Sequence, residues 1–106
     1  MNKSEQNVIN ERAEQLFKSA INELGICALC GLEGKRLRSC QAQVIETKNY
    51  YILQSYSTYV AVISKGTGEC ADVLRKVYGF TRSSAKQIAY FRSDYGATKT
   101  FTWREA

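Results

Sequence analysis

The sequence predicts an α+β fold in one domain, residues 1–106: a small antiparallel sheet of about four strands, packed by an N-terminal helix and a second helix near the C-terminus. Three observations predict it. Apolar residues recur at helical spacing near the start of the chain and again in its last third. Between them lie short runs of Val, Ile and Tyr of the kind that half-buried strands require. Short polar and Gly-containing connections separate those runs.

Residues 5–24 read as the first helix, because Val8, Ile9, Ala13, Leu16, Phe17, Ala20, Ile21 and Leu24 form one apolar stripe. Ser4 reads as its N-cap and Gly25 as the residue that ends it. Residues 26–39, with two Gly and a basic cluster in "GLEGKRLRS", read as a loop or irregular crossing. "CQAQVIET", "YYILQSY" and "TYVAVIS" read as strands joined by "TKN" and "SYS". "TYVAVIS" is apolar on both faces, as a central strand covered on both sides would be. "KGTG" is a turn. "ECADVLRKVYGF" begins as a strand, and its second half fits either class. "TRSSAKQIAYFRSDYG" reads as the second helix, capped by Thr81 or Ser83, with Ala85, Ile88, Ala89 and Phe91 facing the core. "TKTFTWRE" reads as a final strand with Phe101 and Trp103 on one face.

No segment approaches 18 apolar residues and the polar N-terminus has no signal-peptide core, so no membrane partner and a cytoplasmic location are expected. The chain has no His, which removes Ser-His-Asp and Cys-His nucleophile systems, and no paired-acid motif stands out. A protein with no enzymatic activity, no catalytic residues and no cofactor is therefore expected. The net charge of +5 is unevenly placed. Residues 1–33 hold three basic and five acidic residues, a balance of −2, and the remainder holds twelve and five, a balance of +7. A basic C-terminal two-thirds suits nucleic acid or an acidic protein surface; the plainer alternative is ordinary solubility charge.

"GICALCG" places Cys27 and Cys30 in C-x-x-C spacing. A structural zinc site needs four ligands, and here the other two would have to be Cys40 and Cys70, in separate strands. A thioredoxin-like redox pair needs a preceding strand, whereas a helix precedes this one. The pair therefore reads as small apolar side chains at the end of the first helix, with no metal expected.

The binding candidates are basic and aromatic. Lys35, Arg36 and Arg38 crowd one loop, while Arg75, Arg82, Lys86 and Arg92 recur around the second helix with Tyr78 and Tyr90 among them. Arg and Tyr together suit a protein hot spot or stacked nucleic acid; the alternative is a solvated face over core tyrosines. The hydroxyls of "TRSSAKQI" fit helix capping better than phosphate binding, because Ser and Thr are what N-caps use.

Two stretches carry a family resemblance. Ser55, Tyr56, Thr58, Val60 and Ala61 match a pattern S-Y-x-T-x-V-A, and Tyr78, Gly79, Phe80, Thr81, Ser83, Ser84, Ala85, Ile88 and Phe91 match Y-G-(Y/F)-T-x-(T/S)-S-A-x-H-I-x-x-F. With the ending "TFTWREA", these resemble a group of small proteins carried by bacteriophages, plasmids and integrative elements of gut Firmicutes, over roughly residues 52–106. The resemblance implies an accessory protein of a mobile element and no particular chemistry. The family's His falls at Gln87 here, so no metal or proton-transfer role rests on that position, although the amide can still hydrogen-bond. In that setting the expected function is inhibition of a bacterial defence nuclease, anti-CRISPR-like, by binding the nuclease or its guide RNA. The alternative is a nucleic-acid-binding regulator.

Overall fold

The computed structural model describes residues 3–27, 34–38, 40–79 and 81–105. Helix α1 (Lys3–Cys27) opens the chain and is followed by strands β1 (Gly34–Arg36), β2 (Ala42–Glu46), β3 (Tyr50–Ser55), β4 (Thr58–Ser64) and β5 (Glu69–Asp72). A short α2 (Leu74–Val77), a longer α3 (Arg82–Asp94) and strand β6 (Lys99–Thr102) complete it. The fold is α+β, but the sheet has six strands in the order β1-β2-β3-β4-β5-β6 rather than about four. Nor is it wholly antiparallel: β6 runs parallel to β5, because α2 and α3 form a crossover that returns the chain to the same end of the sheet. Among the described residues, no helix is long and apolar enough to cross a membrane.

The sheet is covered on both faces. Ala13, Leu16, Ala20 and Leu24 of α1 bury against Ile45, Ile52, Val62 and Ala71. Ile88 and Phe91 of α3 bury against Val44, Leu53, Ala61, Ile63 and Cys70 on the other face. Strand alternation produces this sorting, since neighbours such as Val44 and Ile45, or Ile52 and Leu53, fall in opposite clusters. Strand β4 has one extra residue: Leu53 pairs with Ala61 and Gln54 with Tyr59, leaving Val60 as a bulge. Val60 and Ala61 therefore both join the α3-side core, which is how the "VAVI" run is buried throughout.

Several local expectations needed correction. Helix α1 already includes Ser4, so that residue is not its N-cap, and it continues past Gly25 to Cys27. Nothing lies within 4 Å of where a Gly25 side chain would begin, so the position is open to solvent. Val8 is 66% exposed and not part of the core stripe. In α3 the core face is turned by one residue: Ala89 is exposed, whereas Ser84 and Gln87 are buried beside Ile88 and Phe91. The segment read as a loop contains β1, whose three residues are all exposed. Cys30, half of the C-x-x-C pair, lies outside the described residues; Cys40 and Cys70 are free thiols. Burial pushes the Cys70 thiol up to about 12, with Asp72 adding to the rise, so it stays protonated.

Polar contacts fix α1 across the sheet. At its start Gln6 donates to the Thr102 carbonyl at 3.1 Å. The Asn10 amide accepts from the Arg104 N–H at 3.0 Å and donates to the Arg104 carbonyl at 2.6 Å, mimicking a neighbouring strand. At the other end Glu23 accepts from the Thr47 hydroxyl and from Asn49 in the β2–β3 turn. Burial works to raise the Glu23 pKa, but these bonds outweigh it and hold the carboxyl below its usual value.

Candidate nucleic-acid interface

Helix α3 and the β1–β2 edge of the sheet frame a basic, aromatic face. Thr81 starts the helix in extended backbone and its hydroxyl accepts from the Ser84 N–H at 3.1 Å, so this end is closed by capping. The helix then presents Ser83, Lys86, Gln87 and Tyr90 to a groove of about 300 Å³, whose other wall is Cys40, Gln41 and Tyr56. A second groove of about 410 Å³ continues from it past Arg36 and Gln43, sharing Cys40, Gln41 and Tyr56. On the far side of Tyr90, Lys35, Arg36, Arg38, Asp94 and Tyr95 line a third hollow.

Arg38 ties these hollows together. Its guanidinium lies 4.0 Å from the centre of the Tyr90 ring. It also donates from Nε and from one terminal nitrogen to the two Asp94 oxygens, at 2.9 and 2.7 Å. The Asp94 bond raises the Arg38 pKa and lowers that of Asp94, so both remain charged in neutral solution. The Lys86 ammonium lies 5.7 Å from the centre of the same Tyr90 ring. Beyond Tyr90, the Tyr95 ring packs on Tyr51 at 4.8 Å, and the Lys65 ammonium lies 5.0 Å from Tyr51. Tyr90 thus has two cations beside it, and the Tyr51–Tyr95 pair has one.

The backbone carries a further mark. Among the described residues, the two non-glycine positions with positive φ are Arg38 (51°) and Tyr56 (56°). The left-handed conformation costs such residues about 1–2 kcal/mol. Tyr56 occupies the first position of the two-residue β3–β4 turn, next to the bulge, where glycine is the usual choice. Its side chain is 53% exposed, so core packing does not account for it.

Under the groove lies a buried polar cluster. Ser55 and Ser84 hydroxyls are 3.0 Å apart, and the Ser55 hydroxyl donates to Gln87 Oε1 at 2.5 Å. Ser55 belongs to the first family-like motif, Ser84 and Gln87 to the second, so motifs thirty residues apart in the chain meet here.

Of the nine residues singled out in the sequence, Lys35, Arg36, Arg38, Lys86 and Tyr90 line this face. Arg82 is exposed one helical turn before Lys86. The other three lie apart. Arg75 on α2 lines a separate hollow with Trp103, Arg104 and Glu105. The charges of Arg75 and Arg92 act on Asp72, whose pKa burial nonetheless raises. Tyr78 is exposed at the end of α2. Tyr56, Gln87, Tyr95 and Tyr51 were absent from the sequence-based set. A tyrosine at a two-residue turn between alternating strands is the signal that marks the first, and the departure from the family-like motif marks Gln87; nothing in the sequence sets Tyr51 and Tyr95 apart from the other tyrosines.

Among the described residues, no group of three or more Cys, Asp or Glu side chains is placed to hold a metal ion. Comparison with protein-family models, with curated proteins and with solved structures gave no match.

Proposed function

We propose that this chain is a non-enzymatic accessory protein of a mobile element that binds single-stranded RNA on the face between α3 and β1. The observation that supports this reading most is the pairing of Arg38 and Tyr56. Both hold left-handed backbone, and both point functional side chains at one run of grooves. Backbone strain at exposed residues persists where a site requires it. Aromatic rings with cations beside them match what an unpaired strand needs: stacking for bases and charge for phosphates. The resemblance to phage and plasmid proteins favours a guide RNA of a defence nuclease as the biological ligand, with inhibition of that nuclease as the outcome.

The test is fluorescence anisotropy with a labelled mixed-sequence RNA of about ten nucleotides, a length within the span of one small domain. The single strand should bind more tightly than the same sequence as a blunt duplex, and affinity should fall as salt rises. Equal affinity for both forms, or no binding at low salt, defeats the reading. Binding of a purified guide-free nuclease with no binding of RNA favours the protein-surface alternative.

A further inference from the structure

The groove beside Tyr56 contains a polar group that the buried cluster does not use up. Gln87 is 4% exposed. Its one recorded hydrogen bond is through Oε1, which accepts from Ser55 at 2.5 Å. That distance falls in the range of O–H···O bonds and below that of N–H···O bonds, so the carboxamide nitrogen faces away from Ser55. Among the described residues no fully buried side-chain nitrogen or oxygen lacks a partner. Among the described residues the Gln87 amide nitrogen has no hydrogen-bond partner, so its sliver of exposure is at the groove that the residue lines. Ser84 completes the orientation: with the Ser55 proton given to Gln87, the 3.0 Å contact runs from the Ser84 hydroxyl to Ser55 Oγ.

We propose that this groove takes one unpaired base, and that the Gln87 amide reads an exocyclic carbonyl on it. The inference rests on the single-strand reading above and adds a base preference. The groove, at about 300 Å³, is at the lower end of ligand clefts and has room for a single base. Tyr56 and Tyr90 stand on its walls as stacking surfaces, and Lys86 is placed beside them for a phosphate. Because Oε1 is turned to the buried Ser55, Gln87 presents its amide donors to the groove. Uracil, cytosine and guanine each carry a carbonyl that can accept from it. Adenine carries no carbonyl: its N1 and N7 acceptors each sit beside the amino group, which an amide presenting only its donors cannot pair with. Ser55 and Ser84 are positioning residues: they fix which end of the amide faces the ligand.

The prediction runs against stacking. On aromatic rings alone the larger adenine ring outranks uracil, so a preference for uracil cannot come from Tyr56 and Tyr90. The experiment measures the affinity of the whole chain for labelled oligo(U) and oligo(A) of equal length. Wild type should favour oligo(U) by about tenfold, the size of one hydrogen bond made or left unmade. Gln87→Met fills similar space without donors and should bring the two affinities within about threefold, through loss of oligo(U) binding with oligo(A) little changed. Ser55→Ala frees the amide to turn and should narrow the preference with the donor still present. If Gln87→Met does not fold, the wild-type ratio and Ser55→Ala decide. Equal wild-type affinities, or a preference for oligo(A), overturn the base-reading inference and leave single-strand binding standing. Failure to bind either oligomer defeats the underlying reading instead.

Discussion

Replacing Tyr56 separates strain from packing and both from binding. Tyr56 has φ 56° and is 53% exposed, so roughly half of the ring is shielded from water. Truncation to Ala gives up that half, about 1–1.5 kcal/mol given about 1.5–3 kcal/mol for burying a large apolar side chain fully. Ala pays the same left-handed penalty as Tyr and recovers nothing. Asn loses the ring too, but it adopts left-handed backbone readily and recovers about 1 kcal/mol. Tyr56→Asn should therefore match wild type to within about 0.5 kcal/mol, and Tyr56→Ala should fall about 1 kcal/mol below it. For a domain of this size the two melting temperatures should differ by about 4–8 °C. Both variants lose the stacking surface, so both should bind single-stranded RNA about 5- to 150-fold more weakly, the equivalent of about 1–3 kcal/mol. The assay is a thermal melt and an anisotropy titration on each variant. Equal stability of the Asn and Ala variants would refute the strain argument; unchanged RNA affinity in both would refute the role given to the ring.

Arg82→Glu with Lys86→Glu should weaken RNA binding sharply and flatten its dependence on salt by about 1.4 in a log–log plot, two contacts at about 0.7 each. Melting should barely move, because both side chains are exposed on α3. Asp72→Asn should stabilise the protein near neutral pH, since burial raises the Asp72 pKa and the charged form is the disfavoured one. A pH series of melts checks the sign: the gain should shrink as pH falls through the raised folded value and vanish below 3.8, where the wild-type carboxyl is protonated in both states. In the same series Glu14 and Glu69, lowered by their bonds to Lys76 and Arg12, contribute stability that is present above 4.5 and is lost as pH drops through their depressed values. Phe91→Ala removes the largest fully buried side chain and should cost about 3–5 kcal/mol, measured by urea unfolding.

How far the sequence could be read follows from which forces placed each element. Helix α1 and strands β2, β3 and β4 have their own apolar periodicity, and Thr81 announces the start of α3 by its capping chemistry. Strand β1 has no such signature. "GKR" holds no apolar residue, and it is a strand because β2 offers it backbone partners. The parallel direction of β6 was equally hidden, since Phe101 and Trp103 alternate in the same way whichever way the strand runs. For the site, the basic residues on β1 and α3 were legible as charge, but three of the nine lie elsewhere because helical phase and the crossover decide which side they reach. Gln87 was visible only as a departure from a motif. Its burial against Ser55 depends on a strand thirty residues away.

The Asn10–Arg104 pairing has a consequence for the order in which the protein assembles. Strands β1 to β5 follow one another as neighbours, so each can zip onto the last across a short connection. The edge of β6 is different: its partners are Gln6 and Asn10, 94 to 96 residues away along the chain. Closing so long a loop is entropically costly and gains little until the sheet already exists as a platform. The hairpins of β2, β3 and β4 are therefore expected to form first, with α1 seating last and latching the final strand as it docks. The same latch is expected to open first in the native state. Hydrogen exchange at the Arg104 amide, which Asn10 alone protects, should outpace exchange in β3 and β4 and report the release of α1 before the sheet unravels.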